Sequence, residues 1–207
     1  MLLARDFVFL HVPKTGGTFV TNTLAATAPE AWRVSAGATH GAIAAIPSSH
    51  ARLPRLAFVR HPCSWYVSWF AHKSRQPDAF FRQLTEGGKL DFASTMRRVL
   101  GPHGPYAQGC GPFTRLLFDQ LGIGLTQIRV GRFESLRIDL LRLLANCTSV
   151  PSPMAQAVMN HPEKNIGGHA PWQDHYDAGL RELVAARDEW VFATFGYAPN
   201  DELVTSR

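Results

Sequence analysis

The sequence is poor in cysteine. It has three such residues, Cys63, Cys110 and Cys147, which lie far apart, and it has no C-x-x-C pair. Disulfide frameworks and cysteine-based zinc sites need paired cysteines at short or repeated spacings, so this pattern argues against both. We therefore expect a protein of a reducing compartment and a cytoplasmic location.

Long apolar runs are also missing. The N-terminal stretch MLLARDFVFLH is apolar in character, but Arg5 and Asp6 interrupt it, and Pro13 and Lys14 end it. We expect neither a signal peptide with a cleavage site nor a segment that inserts stably into a membrane. The chain is predicted to start almost directly on its first strand.

Acidic residues are fewer than basic ones, with 16 Asp and Glu against 21 Lys and Arg, which gives a formal net charge of +5. This balance favours an anionic ligand. The chain has only one adjacent arginine pair, Arg97-Arg98, and no basic tract, so nucleic acid is not expected as a partner. Hydrophobic residues make up 45% of the chain, which suits one domain over residues 1–207.

Apolar segments alternate with segments of helical spacing along most of the chain. This alternation predicts an α/β fold of three layers, a parallel sheet with helices on both faces. Residues 40–47 are predicted to form a short helix, and residues 74–112 an irregular helical excursion. The main predicted elements are strands at 6–12, 55–62 and 126–133, a weaker strand at 32–38, and helices at 18–28, 63–73, 136–144 and 180–195.

The first strand runs into the stretch PKTGGT, which predicts a loop that holds phosphate. Gly16 and Gly17 allow a tight turn, and the N–H groups and dipole of the following helix attract an anion. Thr15 and Thr18 offer hydroxyls, and Lys14 supplies a mobile positive charge. The Walker order G-x-x-x-x-G-K-[ST] is absent. The alternative is an ordinary tight connection between a strand and a helix.

A second anion-binding stretch, FVRHPCSWYVSWF, ends the next clear strand. Arg60 closes that strand, and Ser68 follows eight residues later inside the predicted helix. A guanidinium group suits the paired oxygens of a phosphate. We interpret the aromatic side chains of this helix first as core residues and second as a surface for base stacking. Two anion-binding stretches on two strands indicate a ligand with two separated phosphate-like groups.

The pair PKTGGT and RHPxxWYxSxF resembles the sulfotransferases that use 3′-phosphoadenosine 5′-phosphosulfate (PAPS). The resemblance implies the P-loop NTPase-like sulfotransferase fold, with 3′,5′-ADP as the nucleotide product and no metal ion. It also implies that the loop from Lys14 to Thr18 binds the 5′-phosphosulfate. Arg60 and Ser68 would bind the 3′-phosphate.

Two further stretches are similar to the same family. VGRFESLRIDLLRLL, residues 130–144, resembles its strand–RFE–helix segment, and residues 165–197 resemble the C-terminal segment of its carbohydrate-type, bacterial branch. The family's RKGxxG string, which closes over the cofactor, is absent. HPEKNIGGHAPW, residues 161–172, occupies its place, and Lys164 is expected to contact the cofactor there. The resemblance implies a hydroxyl acceptor, which would be a carbohydrate or a small or glycosylated metabolite. Residues 71–125 are expected to shape the pocket for this acceptor.

A transfer to a hydroxyl group needs a base, and histidine titrates in a suitable pH range. In such sulfotransferases the base often follows the second strand, which points to His40 among the nine histidines. The alternative is that His40 only caps a short helix. His11, His169 and Glu134 are the next candidates. By analogy with phosphoryl transfer, Lys14 would neutralise charge on the bridging oxygen.

Two other functions remain open at this point. A nucleotide kinase on a P-loop-like fold is disfavoured by the missing G-K-[ST] order and by the lack of a magnesium-binding aspartate. A non-catalytic module that binds nucleotide or glycan is disfavoured because Lys14, Arg60, Ser68 and a candidate base are all present.

Overall fold

The computed structural model describes residues 1–37, 40–125, 127–162 and 170–200. Within these residues the chain forms five strands and nine α-helices. The strands are β1 (Leu2–Leu3), β2 (Val8–Leu10), β3 (Ser35–Ala36), β4 (Arg55–Val59) and β5 (Ile128–Arg132). The helices are α1 (Gly17–Thr27), α2 (Pro62–Arg75), α3 (Ala79–Leu84), α4 (Phe92–Leu100), α5 (Pro112–Leu121), α6 (Leu136–Ala145), α7 (Ser152–Asn160), α8 (Ala178–Arg187) and α9 (Glu189–Phe195).

The strands form one mixed sheet in the order β3-β1-β2-β4-β5. β2, β4 and β5 are parallel, with Phe9 opposite Leu56 and Phe58 opposite Gly131. These are the three strands that the apolar runs predicted, and the α/β fold is confirmed. β1 pairs antiparallel with both β2 and β3, so the sheet is mostly parallel and carries one antiparallel strand. A two-residue strand such as β1 carries no periodicity from which it can be predicted.

The chain divides into two compact units, Met1–Arg60 with Leu117–Ile166, and His61–Leu116 with Gly167–Arg207. The prediction of a single domain over the whole chain stays a prediction. The first unit contains the whole sheet together with α1, α6 and α7. Its core is apolar and dominated by large side chains that are at most 6% exposed, among them Phe7, Phe9, Phe19, Leu24, Trp32, Leu56, Phe58, Leu140 and Leu143.

The second unit contains α2, α3, α4, α8 and α9. The aromatic side chains of α2 pack into its core, as our first interpretation predicted. Trp65 stacks on Phe113 with ring centroids 4.6 Å apart, and Tyr66 is 1% exposed.

The predicted helix over 180–195 is two helices, because the chain breaks at Asp188. This fully buried carboxylate accepts hydrogen bonds from the Tyr66 hydroxyl at 2.6 Å and from the backbone N–H of Thr114 at 2.8 Å. Burial raises the pKa of Asp188. The predicted stop at Gly196 is confirmed, since this residue adopts a left-handed conformation with φ of 63° at the end of α9.

Candidate functional site

The loop between β2 and α1 has the backbone of an anion-binding turn. Lys14 and Gly16 both have positive φ values, 66° and 86°. Turns in which residues of positive and negative φ alternate direct successive backbone N–H groups toward one concave point. The N-terminus of α1, which begins at Gly17, adds the positive end of its dipole. The local chemistry that predicted a phosphate loop therefore agrees with its conformation.

The two glycines of the loop are required for different reasons. Gly16 is left-handed, and a Cβ atom there would come within 2.8 Å of the Leu136 side chain. Gly17 is helical, but a Cβ atom there would come within 1.9 Å of the His11 ring. The absence of a side chain at Gly17 therefore makes room for the imidazole of His11.

The two threonines of the loop also differ. Thr15 is buried, and its hydroxyl donates a hydrogen bond to the carbonyl of Val12 at 2.9 Å. This hydroxyl stabilises the loop from within. Thr18 is exposed in the first turn of α1.

Arg60 lies beside this loop, directly after β4. Its Nη1 atom donates to the carbonyl of Lys14 at 3.4 Å, and its Cζ atom lies 4.1 Å above the ring of Phe133. Because β2 and β4 are parallel neighbours, their carboxyl ends bring Lys14 and Arg60 to the same edge of the sheet. Two residues with cationic side chains, 46 positions apart in sequence, thus come together at one loop through the backbone carbonyl of Lys14.

Phe133 is a site residue that the sequence reasoning missed. It follows β5 in a short 3₁₀ turn, and its ring lies beside Gly16, where an added Cβ atom would be 3.0 Å from it, as well as against Arg60. Asp139 stabilises this turn by accepting from the backbone N–H of Arg132 at 2.7 Å and from the hydroxyl of Ser135 at 3.0 Å. The RFE resemblance was the available signal, but it assigned no role to the phenylalanine.

His40 also lies close to the loop. Its Nδ1 atom is 3.1 Å from the carbonyl oxygen of His11, and the two imidazole rings meet edge to face with centroids 4.6 Å apart. A carbonyl oxygen only accepts hydrogen bonds, so in the neutral ring Nδ1 carries the proton and Nε2 keeps its lone pair. His40 is exposed, so this lone pair belongs to a side chain that solvent and ligands reach. These features are the ones that a general base needs.

The helix predicted over residues 40–47 is wrong in extent. The structure has a single 3₁₀ turn at Ile43–Ala45, and the residue in its N-cap position is Ala42. His40 therefore does not cap this turn, and the alternative role considered for it has no support in this geometry.

His11 is held in its neutral form. Burial, the neighbouring charge of His40 and the N-terminal amine together lower the pKa of His11 to about 4. At neutral pH its ring is an uncharged packing group between His40 and Gly17. A base with so low a pKa is poorly matched to a reaction near neutrality.

The low pKa of His11 predicts a pH dependence of stability. Above about pH 6.5 the ring is neutral in both the folded and the unfolded chain, and it contributes nothing to this dependence. As the pH decreases from about 6.5 to 4, His11 takes up a proton in the unfolded chain but not in the folded chain. The free energy of unfolding therefore decreases over this range. We expect the free energy of unfolding of His11→Gln to decrease by roughly 2 kcal/mol less over this pH range than that of the wild-type protein. This figure is already reduced for partial solvent screening.

The measurement is the free energy of unfolding in urea at several pH values between about 7 and 4. His103→Gln is the matched control, because His103 is an exposed histidine. Parallel pH curves for the wild-type protein and His11→Gln would show that His11 is not the responsible group.

Ser68 is half-buried in α2 and belongs to the second unit, so its pairing with Arg60 stays a prediction. Glu134 is exposed in the turn after β5. Lys164 and His169 lie outside the described residues.

In the described ranges, no three His, Cys, Asp or Glu side chains are grouped as metal ligands. Across the same part of the chain, no helix combines the length and apolar character needed to cross a bilayer.

Comparisons with known proteins place this fold. No protein-family model and no curated protein matches the sequence. Among solved structures, the chain is similar to the mouse sulfotransferase SULT7A1 complexed with PAP, with 15% sequence identity and a TM-score of 0.58. The similarity covers 93% of this chain and 89% of that chain. The chain thus has the mixed α/β fold of a sulfotransferase, with a mostly parallel five-stranded sheet flanked by helices.

Proposed function

We propose that the protein is a PAPS-dependent sulfotransferase that transfers a sulfuryl group to a hydroxyl acceptor. The observation that carries this proposal is the meeting of Lys14 and Arg60 at a loop with an anion-binding backbone. A solved protein of the same fold is complexed with PAP, which supports a nucleotide of this kind as the ligand. The resemblance of PKTGGT and RHPxxWYxSxF to the PAPS sulfotransferases supports it independently.

The residues of the loop fit this donor chemically. The backbone N–H groups from Lys14 to Thr18 and the Lys14 ammonium group would hold the 5′-phosphosulfate. Because the Thr15 hydroxyl is bonded to Val12, we assign Thr15 a backbone contribution and Thr18 a hydroxyl contribution. The 3′-phosphate is assigned to Arg60 and Ser68.

The mechanism requires one charge to be neutralised and one proton to be moved. When bound, PAPS would supply the sulfuryl group, which leaves one oxygen and bonds to another. Lys14 counters the negative charge that develops on the oxygen left behind. His40 accepts the proton of the acceptor hydroxyl at Nε2 as the new oxygen–sulfur bond forms.

The finer parts of the proposal follow from the resemblance. We assign the acceptor to the carbohydrates or small glycosylated metabolites, with residues 71–125, which include α3 and α4, shaping its pocket. Lys164 is assigned to the segment that closes over the cofactor. We also propose one functional domain and a cytoplasmic location, which the three free cysteines support.

Thermal stabilisation tests the nucleotide assignment. We expect 3′,5′-ADP to raise the melting temperature more than 5′-AMP does, and more than ATP with magnesium does. A transfer assay with ³⁵S-labelled PAPS and separate panels of sugars, phenols and lipids then identifies the acceptor. Preference for ATP with magnesium would indicate a kinase, and nucleotide binding without transfer to any panel would indicate a binding module.

Phe133 gives a separate prediction about nucleotide affinity. Phe133→Leu keeps an apolar side chain against Gly16 but removes the aromatic face beneath Arg60. Such a cation–π contact contributes about 0.5–2 kcal/mol, so we expect about 2- to 30-fold weaker binding of 3′,5′-ADP by calorimetry. Binding of 5′-AMP should change less, and Phe133→Tyr, which keeps the ring, should bind both normally. An equal loss for both nucleotides would show that Phe133 acts on the loop alone.

A further inference from the structure

Gln120 contacts His40, and the mechanism proposed above does not involve Gln120. It lies in the last turn of α5 and is only 8% exposed. Its side-chain Nε2 atom donates to the backbone carbonyl of His40 at 3.3 Å. The two residues are 80 positions apart, and both belong to the first compact unit. A nearly buried amide thus holds the backbone of the residue proposed as the base.

The backbone of His40 needs such a contact. Its φ of 55° lies in the left-handed region, which residues with a Cβ atom adopt only at a cost in free energy. A conformation of this kind persists when surrounding contacts fix it. Gln120 holds His40 at its carbonyl, and His11 holds it at the ring, so the residue is fixed at both ends.

The orientation of the ring depends on this backbone conformation. The direction of the Cα–Cβ bond follows from φ, and it sets whether Nδ1 reaches the carbonyl of His11 at 3.1 Å. If His40 relaxed to a negative φ, the ring would leave that carbonyl and the proton would no longer be confined to Nδ1. In part of the molecules the proton would then be on Nε2, and that atom could not accept another proton.

We propose that Gln120 is a positioning residue that fixes the backbone and thereby the Nδ1–H tautomer of His40, so that Nε2 is ready to accept a proton. The inference rests on the proposed function of His40 as the base. It differs from that function because the tautomer exists in the free protein, before any ligand binds.

The test uses the full chain with two substitutions of similar side-chain size. Gln120→Glu replaces the amide donor with a carboxylate, and Gln120→Met removes the donor without adding charge. Asp119→Asn is the matched control, because Asp119 is the exposed neighbour of Gln120 on the same helix. If the Glu variant does not fold, the Met variant carries the test.

The first readout is the ¹⁵N spectrum of the histidine rings in the free protein near about pH 8, where a neutral histidine shows its tautomer. The His40 signals are assigned by their loss in His40→Ala. We expect the Nδ1–H tautomer in the wild-type protein and in Asp119→Asn, and a mixture of tautomers in both Gln120 variants. An Nε2–H tautomer in the wild type, or unchanged signals in both Gln120 variants, would overturn the inference.

The second readout is catalysis. Misplacement of a catalytic group by about 1 Å costs on the order of 100-fold in rate, so we expect turnover to fall about 10- to 100-fold in the Gln120 variants. Affinity for 3′,5′-ADP should stay within about twofold, since the hydrogen bond described for the Gln120 side chain is to His40. If wild-type protein transfers no sulfate while the tautomer still depends on Gln120, the proposed function fails and the positioning of His40 stands. If transfer occurs and the Gln120 variants retain full turnover, the positioning role is wrong and the function stands.

Discussion

His40→Ala is expected to lower the turnover of sulfate transfer by about 10²–10⁴-fold, the usual contribution of a general base. The Nδ1 atom of His40 lies against the carbonyl of His11, which leaves Nε2 as the proton acceptor on an exposed side chain. Removal of the ring takes away this acceptor and its described contacts, which are with His11 and not with Lys14–Thr18. Affinity for 3′,5′-ADP and the melting temperature should therefore stay close to those of the wild-type protein.

The measurement is turnover at saturating PAPS as a function of pH. Wild-type activity should fall at acidic pH, because a general base acts only in its unprotonated form, and His40→Ala should lack this acidic limb. His103→Ala, which removes an exposed histidine, is the control and should keep both turnover and profile. Near-normal turnover in His40→Ala would exclude His40 as the base. The search would then turn to Glu134 and His169, since the pKa of His11 is lowered to about 4.

Lys14→Ala is expected to lower turnover by about 10²–10³-fold, comparable to the loss of one group that stabilises transition-state charge. The ammonium group matters most when negative charge develops on the leaving oxygen, and less in the ground state. Alanine keeps the Cβ atom, so the left-handed backbone at this position, with φ of 66°, is equally strained in both proteins. The effect should therefore come from the lost charge.

Turnover and nucleotide affinity, measured separately, distinguish the two possible roles of Lys14. We expect turnover to fall by much more than the affinity for 3′,5′-ADP. Lys89→Ala is the matched control, because Lys89 is an exposed lysine in the second unit. If turnover at saturating PAPS is retained and only the Michaelis constant rises, Lys14 is a binding residue and its proposed catalytic role is wrong.

Much of the fold and of the phosphate loop could be predicted because the signals are local. β2 and the last four residues of β4 are continuous apolar runs that the fold buries, and each strand ends directly before a residue of the site. Gly16 and Gly17 follow within seven positions of β2. A single short stretch of sequence therefore predicted the turn, the start of the helix and the position of Lys14. The parallel pairing of the two strands then implied that Lys14 and Arg60 share one edge.

Other features depend on contacts between residues that are distant in sequence. The break of the C-terminal helix at Asp188 depends on Tyr66 and Thr114, which are 122 and 74 positions away. The contact of Gln120 with His40 spans 80 positions. Periodicity reports which face of an element is apolar, but it does not report which polar atoms meet after the chain folds.

The amino-acid pattern was therefore sufficient for the α/β class, the three parallel strands and the tight turn between β2 and α1. Tertiary structure decided the antiparallel edge at β1, the contact of Arg60 with Phe133 and the contact of His40 Nδ1 with the carbonyl of His11. The physical reason is that a strand or turn forms from the preferences of neighbouring residues. The protonated atom of a histidine, by contrast, is set by whichever donor or acceptor the folded chain brings to it.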